Sequence, residues 1–523
     1  MEKNLPKTLG ELKASGYQPK SVKDELRNNL IQKIKQKETI FPGIVGFEDT
    51  VLPDIERAIL SRHNILLLGL RGQAKTRIAR LLTNLLDEYI PVVEGSELND
   101  DPLQPLSRYA VDLIAEKGDK TPVSWLHRNE RYLEKLATPD VSVADLIGDV
   151  DPIKAATLKL PYSDERVIHF GLIPRAHRCI FVINELPDLQ ARIQVALFNI
   201  LQEGDIQIRG FKLRLPLDIS FVFTANPEDY TNRGSIITPL KDRIESQILT
   251  HYPKTIEIAR QITRQEARLS DEQRKIVYIP ELLEVLLEKI AVEARTSEFV
   301  DPKSGVSARL SISGLENLAS AAERRTLIND EKATVARVSD FWGVIPAITG
   351  KVELVYEGEQ EGPYQVAMHL FGKAVKSMFL DFFPNPDKLK KGRESDPYGV
   401  IRSWFAGGNY VDIANDAGDA EYRQSLEKVA GLKKLVQAYI EDAGENDTYI
   451  LMELILHGLS EFEIINKDIL ENNLTFRDVL ADMLRNEMME DDDDDEDDED
   501  FEDDDDMDYD FDDDDDDDDD RYN

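Results

Sequence analysis

The run Asn64-Ile65-Leu66-Leu67-Leu68 leads directly into Gly69-Leu70-Arg71-Gly72-Gln73-Ala74-Lys75-Thr76. An apolar strand, a glycine-bearing loop and a Lys-Thr pair opening a helix follow the pattern G-x-x-x-x-G-K-S/T, with Ala74 in place of the second fixed glycine. Backbone N–H groups of such a loop, at a helix N-terminus, cradle phosphate oxygens. In this pattern Lys75 reaches the β- and γ-phosphates, and Thr76 holds Mg2+. Residues 69–76 are therefore the first candidate binding residues, and ATP with Mg2+ the expected ligands.

The chain has 523 residues, room for two to four domains. Its net charge of −39 is unevenly spread: 27 of the 31 residues from 490 to 520 are Asp or Glu, so the rest is only mildly acidic. The single cysteine, Cys179, excludes a disulfide framework and a cysteine-based metal site. It suits a reducing cytoplasm. The opening Met1-Glu2-Lys3-Asn4 lacks an apolar signal core. No run approaches the roughly 18 apolar residues of a membrane helix. A soluble cytoplasmic protein is expected.

Residues 1–40 read as a polar leader, helical around Val22–Ile34, that packs on the next domain. Residues 41–251 alternate strands and helices, which implies a parallel α/β sheet. After the loop the pattern predicts a helix from Lys75 to about Glu88, and the next strong strand is Cys179–Ile183. Residues 95–135 are polar, carry Pro102, Pro105 and Pro122, and read as an extra insertion. Residues 206–215 alternate around Gly210-Phe211, a hairpin pattern. Strand Ile219–Thr224 runs into Ala225-Asn226-Pro227. Residues 252–348 are helical, 349–489 mostly helical, and 490–523 an acidic tail expected to be disordered.

A nucleotide-hydrolysing site needs a metal-binding group and a residue that orients water, both where a buried strand ends beside the loop. Strand 179–183 ends in Asn184-Glu185. Glu185 is the candidate for polarising water. Asn184 stands where an Asp usually contacts the Mg2+ shell, and it brings no charge. Taken alone, Glu185 reads better as a strand-end acid in a solvated turn; behind this loop it reads as functional. Asn226 is placed to hydrogen-bond the γ-phosphate or the water, or simply to make the turn before Pro227. Arg243 follows the sheet, and Arg309 opens a later helix. Residue chemistry alone does not separate these two arginines from the others.

Together these parts resemble an AAA+ ATPase, and more narrowly the MoxR and magnesium-chelatase ATPase-subunit group. The resemblance spans about Phe41 to Leu327. It rests on Gly43-Ile44-Val45-Gly46, the Gly69–Thr76 loop, Phe170-Gly171-Leu172-Ile173-Pro174-Arg175-Ala176, Asn184-Glu185, the hairpin 206–215, Ala225-Asn226-Pro227, Asp242-Arg243 and Gly305–Arg309. It implies an AAA+ P-loop parallel sheet flanked by helices, then a helical lid. Ile44 and Val45 would lie near the adenine. Asn184-Glu185 would be the Walker B pair, Asn226 sensor 1, Arg243 an arginine finger acting in trans, and Arg309 sensor 2. Several members of the group carry Ala before the loop lysine; Asn184 remains a departure. Segment Asp145–Arg166 and hairpin 206–215 look like the group's pore-facing insertions.

A finger in trans requires an oligomer. The family implies a homo-oligomeric, hexameric ring whose usual partner is a protein with a von Willebrand factor A domain. Three activities fit: a MoxR-type ATP-driven chaperone that matures a partner, with metal insertion among the group's roles; the ATPase subunit of a metal chelatase; and a nucleotide-binding scaffold with little hydrolysis. Neither a membrane nor a specific nucleic acid is expected as partner, since no helix-turn-helix or broad basic footprint is seen. The acidic tail fits a solubilising role, docking to a basic partner or pore, or loose divalent-cation buffering. Cys179, His127, His169 and the three tryptophans read as packing or surface residues.

Overall fold

The computed structural model describes residues 5–162, 164–208, 214–227, 235–389, 396–470 and 473–479. The acidic tail and the turn of the hairpin at 206–215 lie outside the described residues.

Five strands form one parallel sheet: β1 (Ile65–Leu68), β2 (Tyr132–Leu136), β3 (Cys179–Asn184), β4 (Ile219–Ala225) and β5 (Ser246–Leu249). Their spatial order is β5-β1-β4-β3-β2. Alternation along β1 explains why it is apolar at every position. Ile65 and Leu67 join a core with helices α1 (Val22–Gln36), α2 (Val51–Leu60) and α3 (Lys75–Leu81), while Leu66 and Leu68 join another core on the opposite face. A strand covered on both faces needs no polar side. A loop follows β1 and a helix follows the loop. With the helical segment after the sheet, this is the parallel α/β sheet flanked by helices that the sequence pattern implies.

Two features differ from the sequence reading. The helix after the loop ends at Leu81, continues as a 3-10 turn over Leu82–Leu85, and gives way to a strand at Tyr89–Val93. The segment read as insertion 95–135 closes with β2, an edge strand of the central sheet. Its remainder adds a helix at Arg108–Lys117 and a strand, Val123–His127, paired antiparallel with Tyr89–Val93. The hairpin strands Asp205–Gln207 and Arg214–Pro216 pair antiparallel. A second antiparallel pair, Gly148–Val150 with Ile168–Phe170, flanks a short helix at Pro152–Leu158.

The helices after residue 252 share one core. Leu287 and Leu318 from the expected lid, Phe371 and Leu456 from the expected C-terminal region, belong to the same buried cluster. Packing therefore runs continuously through the expected boundary at 348. The C-terminal region also holds a three-stranded antiparallel sheet, Val411–Ala414, Asn473–Arg477 and Asn466–Leu470.

The leader docks through α1. The Val22 N–H donates to Asp218 Oδ2 at 2.7 Å. Burial lifts the Asp218 carboxyl to about 6, partly offset by that N–H and by Arg178. A carboxyl raised on folding binds more protons in the folded chain than in the unfolded one between its two pKa values. Its stabilising contribution is present at low pH and is lost as pH rises through about 6. Asp218→Asn keeps an acceptor for Val22 and removes the charge. The variant is expected to melt at a higher temperature than wild type at pH 7.5, with the gain vanishing near pH 4; a gain independent of pH would show that the charge is not its source.

Candidate functional site

The parallel register aligns the carboxyl ends of the strands. Leu68 lies opposite Ala225 and Leu249, and Asn184 lies opposite Leu136. Gly69, Glu185, Asn226 and Thr250 therefore emerge at one end of the sheet, where open α/β sheets bind ligands. There Glu185 and Asn226 border a cavity of about 800 Å³, lined by both the sheet end and the later helices.

The loop is held in shape by its neighbours. A β-carbon at Gly69 would collide with the Thr250 hydroxyl and the Gln73 carboxamide, which are hydrogen-bonded to each other at 2.6 Å. Gly72 has φ +75°, and Ser307 sits where its β-carbon would be. The loop thus touches the segment Gly305–Arg309 directly. Ala74 caps α3 with φ 56°, the left-handed region. An L-residue there carries about 1–2 kcal/mol of strain that glycine would not. The fixed glycine of the motif is thus replaced without its backbone conformation being given up.

Lys75 is 7% exposed. Its Nζ donates to the carbonyls of Gly69 and of Leu70 (3.0 Å), and to Asn226 Oδ1 at 2.7 Å. Asn226 Nδ2 in turn donates to Glu185 Oε2 at 3.0 Å. Three residues singled out separately in the sequence form one continuous chain, Lys75–Asn226–Glu185. Glu185 has φ 54°, and its N–H donates to Thr224 Oγ1 at 3.2 Å. Glu185 lines the cavity, as do Thr76 and Asp188.

Ile44, Val45, Arg71, Gly72, Gln73, Ala74 and Arg309 also line the cavity. Leu70 contributes its carbonyl to Lys75 from behind the loop. Asn184 is not a lining residue. It is 8% exposed, and both ends of its amide are engaged: Nδ2 donates to Glu134 Oε1 at 2.5 Å, and Oδ1 accepts from Thr224 Oγ1 at 3.1 Å.

Arg243 lies elsewhere. It precedes the first residue of β5, a strand that runs parallel to β1 and ends opposite Leu68, so it sits toward the opposite end of the sheet. Its guanidinium lies 5.0 Å from the Phe198 ring centroid and donates to Gln202 Oε1 (3.0 Å) and the Pro239 carbonyl (2.7 Å). It does not serve the cavity of its own chain.

Sequence reasoning missed several lining groups. Arg80 lies one helical turn beyond Thr76, a spacing that could have revealed it. Arg77 pairs with Glu266, and Arg71 with Glu353. Burial pushes the Glu266 carboxyl up, but hydrogen bonds from Arg77 and Gln265 outweigh it and hold the group below its ordinary range. Phe47, His251 and Ile262 join Ile44 and Val45 as a largely apolar wall of the same cavity. Such a wall suits a flat base, and the cationic loop end suits phosphates.

No protein-family model matches the chain. Among solved structures it is similar to a candidate ATPase from Cytophaga hutchinsonii, at 17% identity over 69% of this chain and 97% of that one, with a TM-score of 0.27. It is also similar to one chain of the complex between subunits BchI and BchD of magnesium chelatase, at 20% identity over 61% of this chain and 98% of that one, with a TM-score of 0.31. NtrX from Brucella abortus in complex with ATP is similar at 12% identity, covering 69% and 68%, with a TM-score of 0.33. All three likenesses are low in both identity and superposition, so the site's chemistry is read from its own residues.

Proposed function

We propose that the chain is an ATP-hydrolysing AAA+ protein of the MoxR and magnesium-chelatase type, working as a ring whose sites are shared between neighbouring subunits. The observation that carries this reading is the chain Lys75–Asn226–Glu185 at the mouth of a phosphate-binding loop. Lys75 exchanges its loop carbonyls for phosphate oxygens when ATP binds. Asn226 holds Glu185 in register with Lys75, so that the carboxylate meets an attacking water on the γ-phosphate side. Glu185 orients that water and takes its proton.

The oxygen donors fit Mg2+. Thr76, Glu185 and Asp188 all line the cavity. Among the described residues no cluster of three His, Cys, Asp or Glu side chains is arranged to hold a metal alone. Mg2+ ordinarily takes one or two carboxylates and completes its octahedron with water and phosphate. When bound it neutralises charge on the phosphates.

The lid reaches the loop through Ser307 against Gly72, and Glu353 reaches it through Arg71. Nucleotide binding thereby couples to the helical body that would move a partner. By resemblance, that partner carries a von Willebrand factor A domain, and the work done is remodelling or maturation.

Arg243 gives the decisive test. Alone, Lys75→Ala is expected to abolish ATP binding and turnover. Arg243→Ala is expected to bind ATP and lose about 10³-fold or more in kcat. Mixing the two dead variants is expected to restore partial turnover, because the intact loop of one meets the intact arginine of the other. Unchanged turnover in Arg243→Ala, or no recovery on mixing, would overturn the shared site.

A further inference from the structure

We propose that Glu134, on the edge strand β2, supplies the negative charge that residue 184 lacks and anchors the hydrated metal beside Thr76. The assignment rests on the Mg–ATP reading of the cavity.

The carbonyl oxygen of Asn184 is engaged by Thr224, which leaves its NH2 group facing Glu134 Oε1 at 2.5 Å. An aspartate at 184 would place a second carboxylate oxygen against that of Glu134. Two carboxylates sharing one site cannot both stay ionised without a large penalty. An amide donates a hydrogen bond there instead. The departure at 184 and the carboxylate at 134 are therefore one feature: the charge has moved one strand over, from β3 to β2.

Glu134 is also placed on the correct side of α3. Thr76 and Arg80 are four residues apart on that helix, so they share a face. Both line the cavity. Arg80 donates to Glu134 Oε2 from Nη2 at 3.0 Å and from Nε at 3.3 Å, and the Tyr132 hydroxyl donates at 3.1 Å. Arg80 thus ties Glu134, which is not itself a lining residue, to the face of α3 that carries Thr76. Glu134 Oε1 receives one donor, Asn184, and keeps a second lone pair for a water. The side chain is 24% exposed, so water reaches it. Arg80 and Tyr132 fix its orientation, as outer partners do around metal sites.

The test is calorimetric titration of ATP into the full-length chain, in Mg2+ and in EDTA. Wild type is expected to bind in both and more tightly in Mg2+. Glu134→Gln keeps an acceptor for Asn184 and is expected to bind normally in EDTA while losing about tenfold or more of the Mg2+-dependent gain. Glu134→Asp, which keeps the charge, is expected to retain much of that gain. The double variant Glu134→Gln/Asn184→Asp returns the charge to β3 and is expected to recover it. A merely structural brace between β2 and α3 would not respond to the double exchange. If Glu134→Gln keeps the wild-type gain, or the double variant stays as weak as the single, the assignment is overturned. Wild type that binds ATP equally with and without Mg2+ overturns it too. Wild type that binds ATP in neither buffer refutes the nucleotide reading itself.

Discussion

Glu185→Gln is expected to leave ATP bound and to lower kcat by about 10²–10⁴-fold, the contribution of a positioned general base. The substitution is chosen because it removes little else. Glutamine keeps an oxygen that can accept from Asn226 Nδ2, the bond that now measures 3.0 Å. The Lys75–Asn226 contact at 2.7 Å does not involve the exchanged group. The backbone at 185 holds its left-handed φ of 54° with support from Thr224, whichever side chain it carries. What is lost is the ability to take a proton from water. The measurement is kcat beside an independent ATP Kd. A variant within threefold of wild type in kcat would remove Glu185 from the chemistry. A parallel rise in Kd would show that its role is to support the loop. Asn226→Ala should behave differently, because it severs the chain at its middle and disturbs Lys75 and Glu185 together.

Much of this site was legible in the sequence because it follows strands that are buried on both faces. β1 and β3 are apolar runs, β4 is buried throughout with only Ser220 and Thr224 polar, and each leads into the residue that matters: Gly69, Asn184-Glu185 and Asn226. β2 was not legible. Tyr132-Leu133-Glu134-Lys135-Leu136 is an edge strand that is partly exposed throughout, so polar and charged residues interrupt its pattern. That omission concealed Glu134 and made Asn184 look like a simple loss of charge. Pairing between strands decides which groups meet, and sequence spacing does not report it. The same holds for Glu353, which reaches Arg71 from 282 positions away. Arg243 was legible as a motif residue only. Its place away from its own cavity follows from the direction of β5, which the parallel sheet fixes.

The largest stability effect is expected at Arg131, immediately before β2. This arginine is 1% exposed and faces Glu25 of helix α1, which is 2% exposed. The pair is bidentate, at 2.6 and 2.7 Å. The guanidinium also donates to the Arg178 carbonyl from Nε at 3.0 Å and Nη2 at 2.7 Å. Glu25 Oε1 accepts in addition from the Asp87 N–H at 2.5 Å. Arg131→Met strands a buried carboxylate, and such losses cost about 3–5 kcal/mol. Denaturant titration should show a lower midpoint with an unchanged slope. Replacing both partners, Glu25→Leu/Arg131→Met, should recover part of the loss. About 1–3 kcal/mol should remain for each polar backbone group left unpaired, here the Asp87 N–H and the Arg178 carbonyl. A single-variant cost below about 1 kcal/mol would show that the leader is held by its apolar contacts, Val22, Leu26 and Leu30, rather than by the ion pair. The consequence extends beyond stability. Arg131 fixes the amino end of β2, and Glu134 comes three residues later on the same strand. A leader that loosens at Arg131 should therefore also weaken the Mg2+-dependent part of ATP binding, and leave binding in EDTA intact.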